Sequence, residues 1–263
     1  MKREAKQELK DMVAIVTGGG KGIGRSITLA FAADGVNLVI CGRTLPLLEQ
    51  VSQEARVMGA SILPVATDVT IESEVENMVE QALREFGKID ILVNNAGMLG
   101  AKGLIIDVKK EEWDEVINTN LTGMFLCSKA VLKHMIKRGR GNIINISSGA
   151  GRRKTNPSLP HNVTSLVYNV SKFAVEGMTY NLAKQVKPYG ICVNAMRPGY
   201  MATDLIKDVT LQDGIKAGHP DELGELALFL ALQTVESMTG ESVDLAEWKR
   251  SLEVTRHPHA GST

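Results

Sequence analysis

The chain has 263 residues, and its 30 Lys and Arg residues balance 30 Asp and Glu residues. This balance excludes the positive excess typical of proteins that bind nucleic acid or an anionic membrane surface, so we expect a small molecule or a protein as partner. The charged stretch at 1–11 is not followed by an apolar run resembling a signal peptide or a membrane span. Cys41, Cys127 and Cys192 lie in apolar runs, which is typical of reduced core thiols, and we therefore expect a cytoplasmic protein.

Short apolar runs alternate with longer segments of helical spacing along the chain. The predicted strands are 12–17, 36–41, 61–66, 89–94, 142–147, 191–196 and a short one near 242–245. The predicted helices are 23–33, 45–58, 72–86, 113–135, 171–186 and a last one near 221–233. This alternation predicts an α/β, doubly wound Rossmann-type fold, in which a parallel sheet of about seven strands is flanked by helices.

The pattern never resets, so we expect one domain over residues 1–263, with an N-terminal extension at 1–10 and a C-terminal tail at 248–263. Ligands of doubly wound sheets bind at the carboxyl ends of the strands. The candidate functional residues are therefore sought where the predicted strands end.

A glycine-rich turn follows the first predicted strand. Residues 17–24 read Thr-Gly-Gly-Gly-Lys-Gly-Ile-Gly and lead directly into a helix, where backbone N–H groups and the helix dipole favour a pyrophosphate. Gly18, Gly22, Ile23 and Gly24 are the candidate contacts. A glycine cluster alone also fits an ordinary tight turn, but the strand before it and the helix after it favour a dinucleotide site.

The second strand is expected to end about 20 residues on with an acidic residue that binds a ribose hydroxyl in NAD(H) enzymes. The sequence has Gly42, Arg43 and Thr44 there instead. Arg43 offers a planar fork of donors for a 2′-phosphate, and Lys21 adds a second positive charge. NADP(H) is therefore preferred, with NAD(H) as the second choice, although both cations also fit ordinary solvated surface residues.

Tyr168 and Lys172 lie four residues apart, so on a helix their side chains project from one face. A free phenol with a pKa near 10 exchanges protons reluctantly at neutral pH, and a neighbouring ammonium lowers that pKa. The pair suits general acid–base chemistry at a carbonyl, whereas an isolated pair of this spacing is usually an ordinary feature of a helix surface.

The chain resembles the short-chain dehydrogenase/reductase family in its compact, single-domain type. The motifs that carry this resemblance are the glycine turn, the Asn-Asn-Ala-Gly run at 94–97 and the Tyr-Asn-Val-Ser-Lys run at 168–172. The resemblance extends from about Asp11 to Gly240. It implies an oxidoreductase that interconverts a carbonyl and a secondary alcohol, with a 3-oxoacyl thioester reductase favoured, and a homo-oligomer, most often a tetramer. The alternatives are a steroid, sugar or polyol dehydrogenase, an extended-type epimerase, and an NADP-sensing regulator without turnover.

The resemblance also implies roles for individual residues. Asn120, Ser148, Tyr168 and Lys172 are the implied catalytic residues, with Ser147 as the alternative hydroxyl. Tyr168 and Lys172 also contact the cofactor. The other implied cofactor contacts are Asp68 and Val69 at the adenine, Asn95, Ala96 and Gly97 near the ribose, and Pro198, Gly199 and Thr203 at the nicotinamide. Asn94 is expected to support the sheet instead, and no metal is implied.

The sequence departs from the family pattern at three places. Residues 152–161 form a longer basic segment beside the expected substrate pocket, and the stretch between Thr203 and Pro220 is short for a lid. After Asp244 the chain continues through 245–250 instead of ending in paired glycines, which places the usual tetramer contacts in doubt. His257 and His259 in the tail lack the companion ligands that a metal site requires.

Overall fold

The structure is a computed structural model that describes residues 7–151, 165–203 and 217–256. Its centre is a seven-stranded sheet in which every pairing is parallel, in the order β3-β2-β1-β4-β5-β6-β7. The strands are β1 Val13–Thr17, β2 Asn37–Gly42, β3 Ile62–Ala66, β4 Ile91–Asn94, β5 Gly141–Ile146, β6 Ile191–Arg197 and β7 Ser242–Asp244. The strand order reverses beside β1, and this confirms the predicted doubly wound fold.

Helices cover both faces of the sheet. They are α1 Gly22–Ala33, α2 Leu45–Val57, α3 Glu72–Phe86, α4 Lys110–Ile117, α5 Gly123–Arg138, α6 Leu166–Val186, α7 Leu223–Ala231 and α8 Leu245–Arg256. Side chains of one strand point alternately to the two faces, so Ala14 and Val16 of β1 join the core under α1, α2 and α7. Ile15 joins the core under α3, α5 and α6.

The helix predicted at 113–135 begins earlier, at Lys110, and ends later, at Arg138. A π-helical turn over Asn118–Thr122 also interrupts it. Such turns widen the helix locally and occur often at functional sites. The periodicity of apolar residues predicted the helix but carried no sign of this interruption.

The sequence predicts a C-terminal tail from residue 248 onward. The structure corrects this prediction, because helix α8 runs through Leu245–Arg256. Trp248 packs on Phe229 of α7 with ring centroids 5.6 Å apart, and Lys249 pairs with Glu222. These partners lie 19 and 27 residues away in the sequence, so the local pattern did not disclose them. The predicted N-terminal extension also differs, since residues 7–9 are helical and Leu9 is fully buried in the core.

Three predictions fall outside the described residues: the basic segment at 152–161, most of the short lid at 204–216, and the histidines at 257 and 259. Within the described ranges, no helix is long and apolar enough to cross a membrane.

Candidate functional site

The ends of β1, β4, β5 and β6 meet at the carboxyl edge of the sheet, because all seven strands are parallel. This edge collects the glycine turn after β1, the 94–97 run after β4, the serines after β5 and the Pro-Gly turn after β6. The predicted site residues, which are scattered over nearly 190 positions, are therefore brought to one side of the molecule.

The glycine turn is packed so closely that a side chain would not fit at Gly18 or Gly24. Gly18 and Gly22 have φ values of +65° and +53°, a region that favours glycine. A Cβ placed on Gly24 would lie 2.2 Å from the Gly18 carbonyl oxygen. The turn is fixed to β2 by the Gly18 N–H, which donates to the Cys41 carbonyl over 2.8 Å. The result is a backbone cradle at the start of α1 that fits a pyrophosphate.

The 95–97 segment is fastened to the end of β1. Thr17 Oγ1 accepts hydrogen bonds from the backbone N–H groups of Asn95 and Ala96, each 2.9 Å long. The Asn95 side chain donates to the Thr17 carbonyl over 2.8 Å. Gly97 lies against Asn120, since a Cβ on it would be 3.3 Å from the Asn120 Oδ1. These three predicted cofactor residues therefore line the space between the glycine turn and the π-helical turn.

Asn94 faces away from this space. Its side-chain nitrogen donates to Ser128 Oγ on α5 over 3.0 Å and to Asn145 Oδ1 on β5 over 2.9 Å. Asn94 thus links β4 to its neighbours, which is the supporting role expected of it.

Arg43 and Thr44 are exposed at the end of β2, and Lys21 is exposed at the start of α1. The Asp68 carboxylate lies near Arg43 at the end of β3. Burial raises the pKa of Asp68, but hydrogen bonds from Thr70 and the charge of Arg43 outweigh this effect and lower that pKa below its ordinary value. The Val69 side chain that follows Asp68 is buried and lies against Gly123. Cations are thus concentrated where an adenosine 2′-phosphate is expected.

Tyr168 lies in the first turn of α6, which begins after Ser165. The Ser165 hydroxyl caps this helix by accepting from the Tyr168 N–H over 3.3 Å. The Ser148 side chain lies close enough to the Tyr168 phenol to act on its pKa. Burial raises the pKa of Tyr168, the Ser148 side chain lowers it, and Tyr200 raises it, with a net increase. Burial dominates, so the pKa of Tyr168 is raised and not lowered as the sequence led us to expect.

Lys172 is only 5% exposed, which is rare for a lysine. Its Nζ donates to the Ile146 carbonyl over 2.7 Å and lies 5.6 Å from the centre of the Tyr168 ring. Burial lowers the pKa of Lys172 to about 8, while the charge of Glu176 acts in the opposite direction. The same buried environment shifts the pKa of each group in the direction that favours its neutral form.

Asn120 occupies the π-helical turn and is buried. Its Oδ1 accepts from the Met98 N–H over 2.8 Å, and its Nδ2 donates to the Met98 carbonyl over 2.9 Å and to Ser171 Oγ over 3.0 Å. Both amide hydrogens are thereby used. The side chain joins the loop after β4 to α6, one residue before Lys172.

The turn after β6 completes the edge. Pro198 is buried, and Gly199 has a φ of +75°. Beyond it, Thr203 reaches the glycine turn, since a Cβ on Gly22 would lie 3.3 Å from Thr203 Cγ2. Backbone pairing with Gly218, through its N–H to the Tyr200 carbonyl at 2.8 Å, holds this segment in place.

The two serines after β5 have different surroundings. Ser148 is half-buried and reaches Tyr168. Ser147 is 2% exposed, and its hydroxyl has no hydrogen-bond partner within the described part of the chain. The geometry favours Ser148 over the alternative hydroxyl.

Three polar residues behind this edge, Glu176, Arg197 and Ser242, were not among the predicted site residues. Glu176 Oε1 accepts from Ser242 Oγ over 2.8 Å, and Arg197 Nη1 donates to the same hydroxyl over 3.2 Å. The spacing of four between Lys172 and Glu176 was the signal that could have disclosed the first of them.

Comparisons with known proteins agree with this geometry. The sequence profile described as short chain dehydrogenase matches residues 12–214. A 3-oxoacyl-[acyl-carrier-protein] reductase of Synechocystis sp. is 35% identical over 245 residues, which cover 90% of this chain and 96% of the relative. The short-chain reductase protein NovJ of Streptomyces niveus is 33% identical, over 89% of this chain and 92% of the relative.

Solved structures give the same result. The 3-ketoacyl-(acyl-carrier-protein) reductase of Brucella melitensis, complexed with NADH, has a TM-score of 0.81 at 33% identity, over 90% of this chain and 97% of the other. A short-chain type dehydrogenase/reductase from Mycobacterium marinum has a TM-score of 0.80 at 32% identity, over 90% of this chain and 94% of the other.

Proposed function

Since the chain belongs to the short-chain dehydrogenase family, we propose that it is an NADP(H)-dependent oxidoreductase that interconverts a carbonyl and a secondary alcohol, with 3-oxoacyl thioesters as its substrates. The observation that carries this proposal is the group formed by Ser148, Tyr168 and the buried Lys172 at the carboxyl edge. The group places a hydroxyl, a phenol and an ammonium next to the predicted nucleotide site.

A dinucleotide fits the glycine turn, because Gly18 and Gly24 pack directly against Asn95 and the Gly18 carbonyl and so keep the turn tight at the start of α1, where backbone N–H groups bind phosphate. Gly18, Lys21, Gly22, Ile23 and Gly24 would hold the pyrophosphate. Arg43, Thr44, Asp68 and Val69 would hold the adenosine, and Asn95, Ala96, Gly97, Tyr168, Lys172, Pro198, Gly199 and Thr203 would hold the nicotinamide riboside. When bound, the nicotinamide supplies or accepts the hydride.

Side chains of the protein supply the proton that the substrate oxygen takes up during carbonyl reduction. Ser148 orients the substrate carbonyl by donating a hydrogen bond to its oxygen, and Tyr168 gives that oxygen a proton as it becomes an alkoxide. A charged Lys172 stabilises the phenolate that remains on Tyr168. Asn120 fixes the loop after β4 against α6, and the proton returns from solvent past Lys172 and the π-helical turn. In the oxidative direction the same steps run in reverse.

The preference for NADP(H) rests on Arg43 and Lys21. Both are exposed cations beside the expected 2′-phosphate, and the second strand ends without the acid that binds a ribose hydroxyl. A related actinorhodin polyketide ketoreductase, 29% identical, was solved with NADPH. NAD(H) is the second cofactor, as in the NAD+-bound xylitol dehydrogenase at 29% identity.

The substrate class is supported by relatives named 3-oxoacyl-[acyl-carrier-protein] reductase at 32–35% identity. A polyol or a small ketone is the second candidate, because the xylitol dehydrogenase and a levodione reductase share the fold with TM-scores of 0.80 and 0.81. Measured turnover of a 3-oxoacyl thioester against a polyol or a small ketone distinguishes the two classes.

We also propose that the protein acts in the cytoplasm as a homo-oligomer, a tetramer or a dimer. Three buried free thiols, Cys41, Cys127 and Cys192, support a reducing compartment. Exposed apolar side chains on α5 and α6, among them Phe125 and Phe173, support a contact between copies.

The test is consumption of NADPH and of NADH, followed spectroscopically with 3-oxoacyl thioesters, steroid ketones, keto-sugars and simple diketones. We expect rapid reduction of a 3-oxoacyl thioester with NADPH. Reduction of a keto-sugar or diketone alone would assign the second candidate. Binding of both nucleotides without turnover on any carbonyl would contradict the proposal and favour a regulator.

A further inference from the structure

We propose that Glu176 is a positioning residue for the reaction, which keeps the Lys172 ammonium charged, and that Ser242 and Arg197 hold the Glu176 carboxylate in the place where it does so. This inference rests on the proposed function, since it concerns the lysine of the same site. It extends the site from α6 to β7 and α8, beyond the residues that the family motifs disclose.

The first observation is the placement of Glu176 on α6. It lies four residues after Lys172, so the two side chains share one side of the helix about one turn apart. Lys172 is almost fully buried, with the Ile146 carbonyl as its hydrogen-bond acceptor. A neutral carbonyl does not balance an ammonium, and a buried charge needs a compensating charge nearby.

The second observation is that Glu176 is itself held from the other side. Its Oε1 accepts from Ser242 Oγ over 2.8 Å. Arg197 Nη1 donates to the Ser242 carbonyl at 3.1 Å and to its hydroxyl at 3.2 Å. Gly151 leaves room for this arrangement, because a Cβ on it would lie 3.1 Å from Glu176 Cγ and 2.6 Å from the Lys172 carbonyl oxygen.

The other charges around Lys172 do not replace Glu176. Arg197 of β6 is paired with Asp244 at 3.7 Å and with Glu247 of α8 at 3.3 Å. On α4, which also packs against α6, Lys110 and Asp114 pair with each other at the exposed surface. Among the residues that the structure describes, Tyr168 is the other titratable group beside the ammonium, which lies 5.6 Å from its ring centre, and Tyr200 acts on Tyr168 in turn. The carboxylate that acts on Lys172 is that of Glu176, and its negative charge raises the Lys172 pKa.

The first experiment compares Glu176→Gln with wild type in alcohol oxidation with NADP+ over a range of pH. Without the carboxylate, Lys172 loses its proton at lower pH and stabilises the Tyr168 phenolate less. We expect the midpoint of the rising limb to move upward by about one pH unit. Ser242→Ala should produce part of the shift, and Ser242→Thr, which keeps the hydroxyl, should restore the wild-type profile. Glu80→Gln on α3, an exposed site with the same change of charge, should leave the profile unmoved.

The second experiment needs no turnover. Glu176→Gln leaves a buried ammonium without its counter-charge, so it should lower Tm at pH 7. This deficit should shrink toward pH 9.5, where Lys172 is neutral in the folded protein, and Glu80→Gln should show no such trend. A Glu176→Gln deficit of equal size at both pH values, or an unmoved midpoint in an active variant, would overturn the inference. Absence of turnover in the wild type would instead contradict the proposed function. In that case the Tm comparison would still test whether Glu176 compensates the charge of Lys172.

Discussion

Buried ionisable groups at the two edges of the sheet differ in how burial and their hydrogen-bond and charge partners shift their pKa values. At the amino edge, Asp90 is 3% exposed and has a full set of partners: Val13 N–H at 2.9 Å, Arg138 at 2.8 Å, Arg140 at 3.3 Å and Lys88 at 3.4 Å. Burial raises the Asp90 pKa, but these partners outweigh it and lower that pKa below its ordinary value. At the carboxyl edge, burial dominates, raising the pKa of Tyr168 and lowering that of Lys172 to about 8.

This difference in pairing distinguishes a charge that stabilises the fold from a charge that takes part in the reaction. A carboxylate that is fully paired keeps its charge over the whole physiological range and stabilises the fold. A buried lysine whose pKa falls to about 8 gains and loses its proton near neutral pH, and burial keeps the phenol beside it in the form that donates a proton. Burial alone is therefore a poor guide to function, whereas burial combined with incomplete pairing indicates the reactive edge.

Lys172→Met should give the largest effect on turnover. It removes the buried ammonium while keeping an apolar stem of similar length, so we expect turnover to fall by about 10³-fold. The free energy of unfolding should change by no more than about 1 kcal/mol, because removing an incompletely paired buried charge costs little stability. Steady-state kinetics and chemical denaturation of the same preparation measure both quantities. A large loss of stability would mean that Lys172 is structural, like Asp90.

Ser148→Ala and Ser147→Ala form a matched pair at adjacent positions. Ser148 reaches Tyr168, so its loss should lower turnover by about 100-fold. Ser147 has a buried hydroxyl without a partner among the described residues, and its loss should leave turnover unchanged. Comparison of kcat for the two variants measures the difference. The reverse ranking would assign the catalytic hydroxyl to Ser147.

Asp90→Asn should lower stability without lowering turnover. Removing the charge leaves Arg138 without its carboxylate, and because Arg138 is partly exposed we expect a loss of about 2 kcal/mol at pH 7. The folded-state pKa of Asp90 is depressed, so its contribution exists above the unfolded pKa of about 3.9 and is lost as the pH falls through the folded value. Denaturation at several pH values should show the deficit vanish in acid. A fall in kcat of the folded variant would contradict the structural role.

Arg43→Ala should have the smallest of these effects. Loss of a charged hydrogen bond to the 2′-phosphate should reduce the preference for NADPH over NADH by about ten-fold. Arg140→Ala removes a cation from the amino edge and should leave the preference unchanged. The ratio of kcat/KM for the two nucleotides is the readout. Equal ratios in wild type and Arg43→Ala would place the phosphate elsewhere, with Lys21 as the next residue to replace.

Much of the fold was predictable because it follows from local patterns. Apolar strand runs alternate with helical segments, and the glycines of residues 17–24 mark the turn between β1 and α1. The features that were not predicted depend on distant contacts. Helix α8 is stabilised by Phe229 and Glu222, and Leu9 is buried by the core rather than by its own neighbours.

The site shows the same division. The spacing of Tyr168 and Lys172 was visible in the sequence, but the burial that sets their pKa values was not. The hydrogen bond between Ser242 and Glu176 joins residues 66 positions apart, and no periodicity predicts it. Motifs therefore identify the reacting groups, and only packing shows which charges act on them.

The most direct test of the account is Tyr168→Phe, measured for NADPH binding and for reduction of a 3-oxoacyl thioester. The substitution removes one hydroxyl and leaves the ring and the glycine cradle intact. We predict that the Kd for NADPH stays within about two-fold of wild type, while turnover falls by at least about 10³-fold. Turnover equal to that of wild type would show that the proton comes from another group, and the assignment of the carboxyl edge as the proton-exchanging site would be wrong.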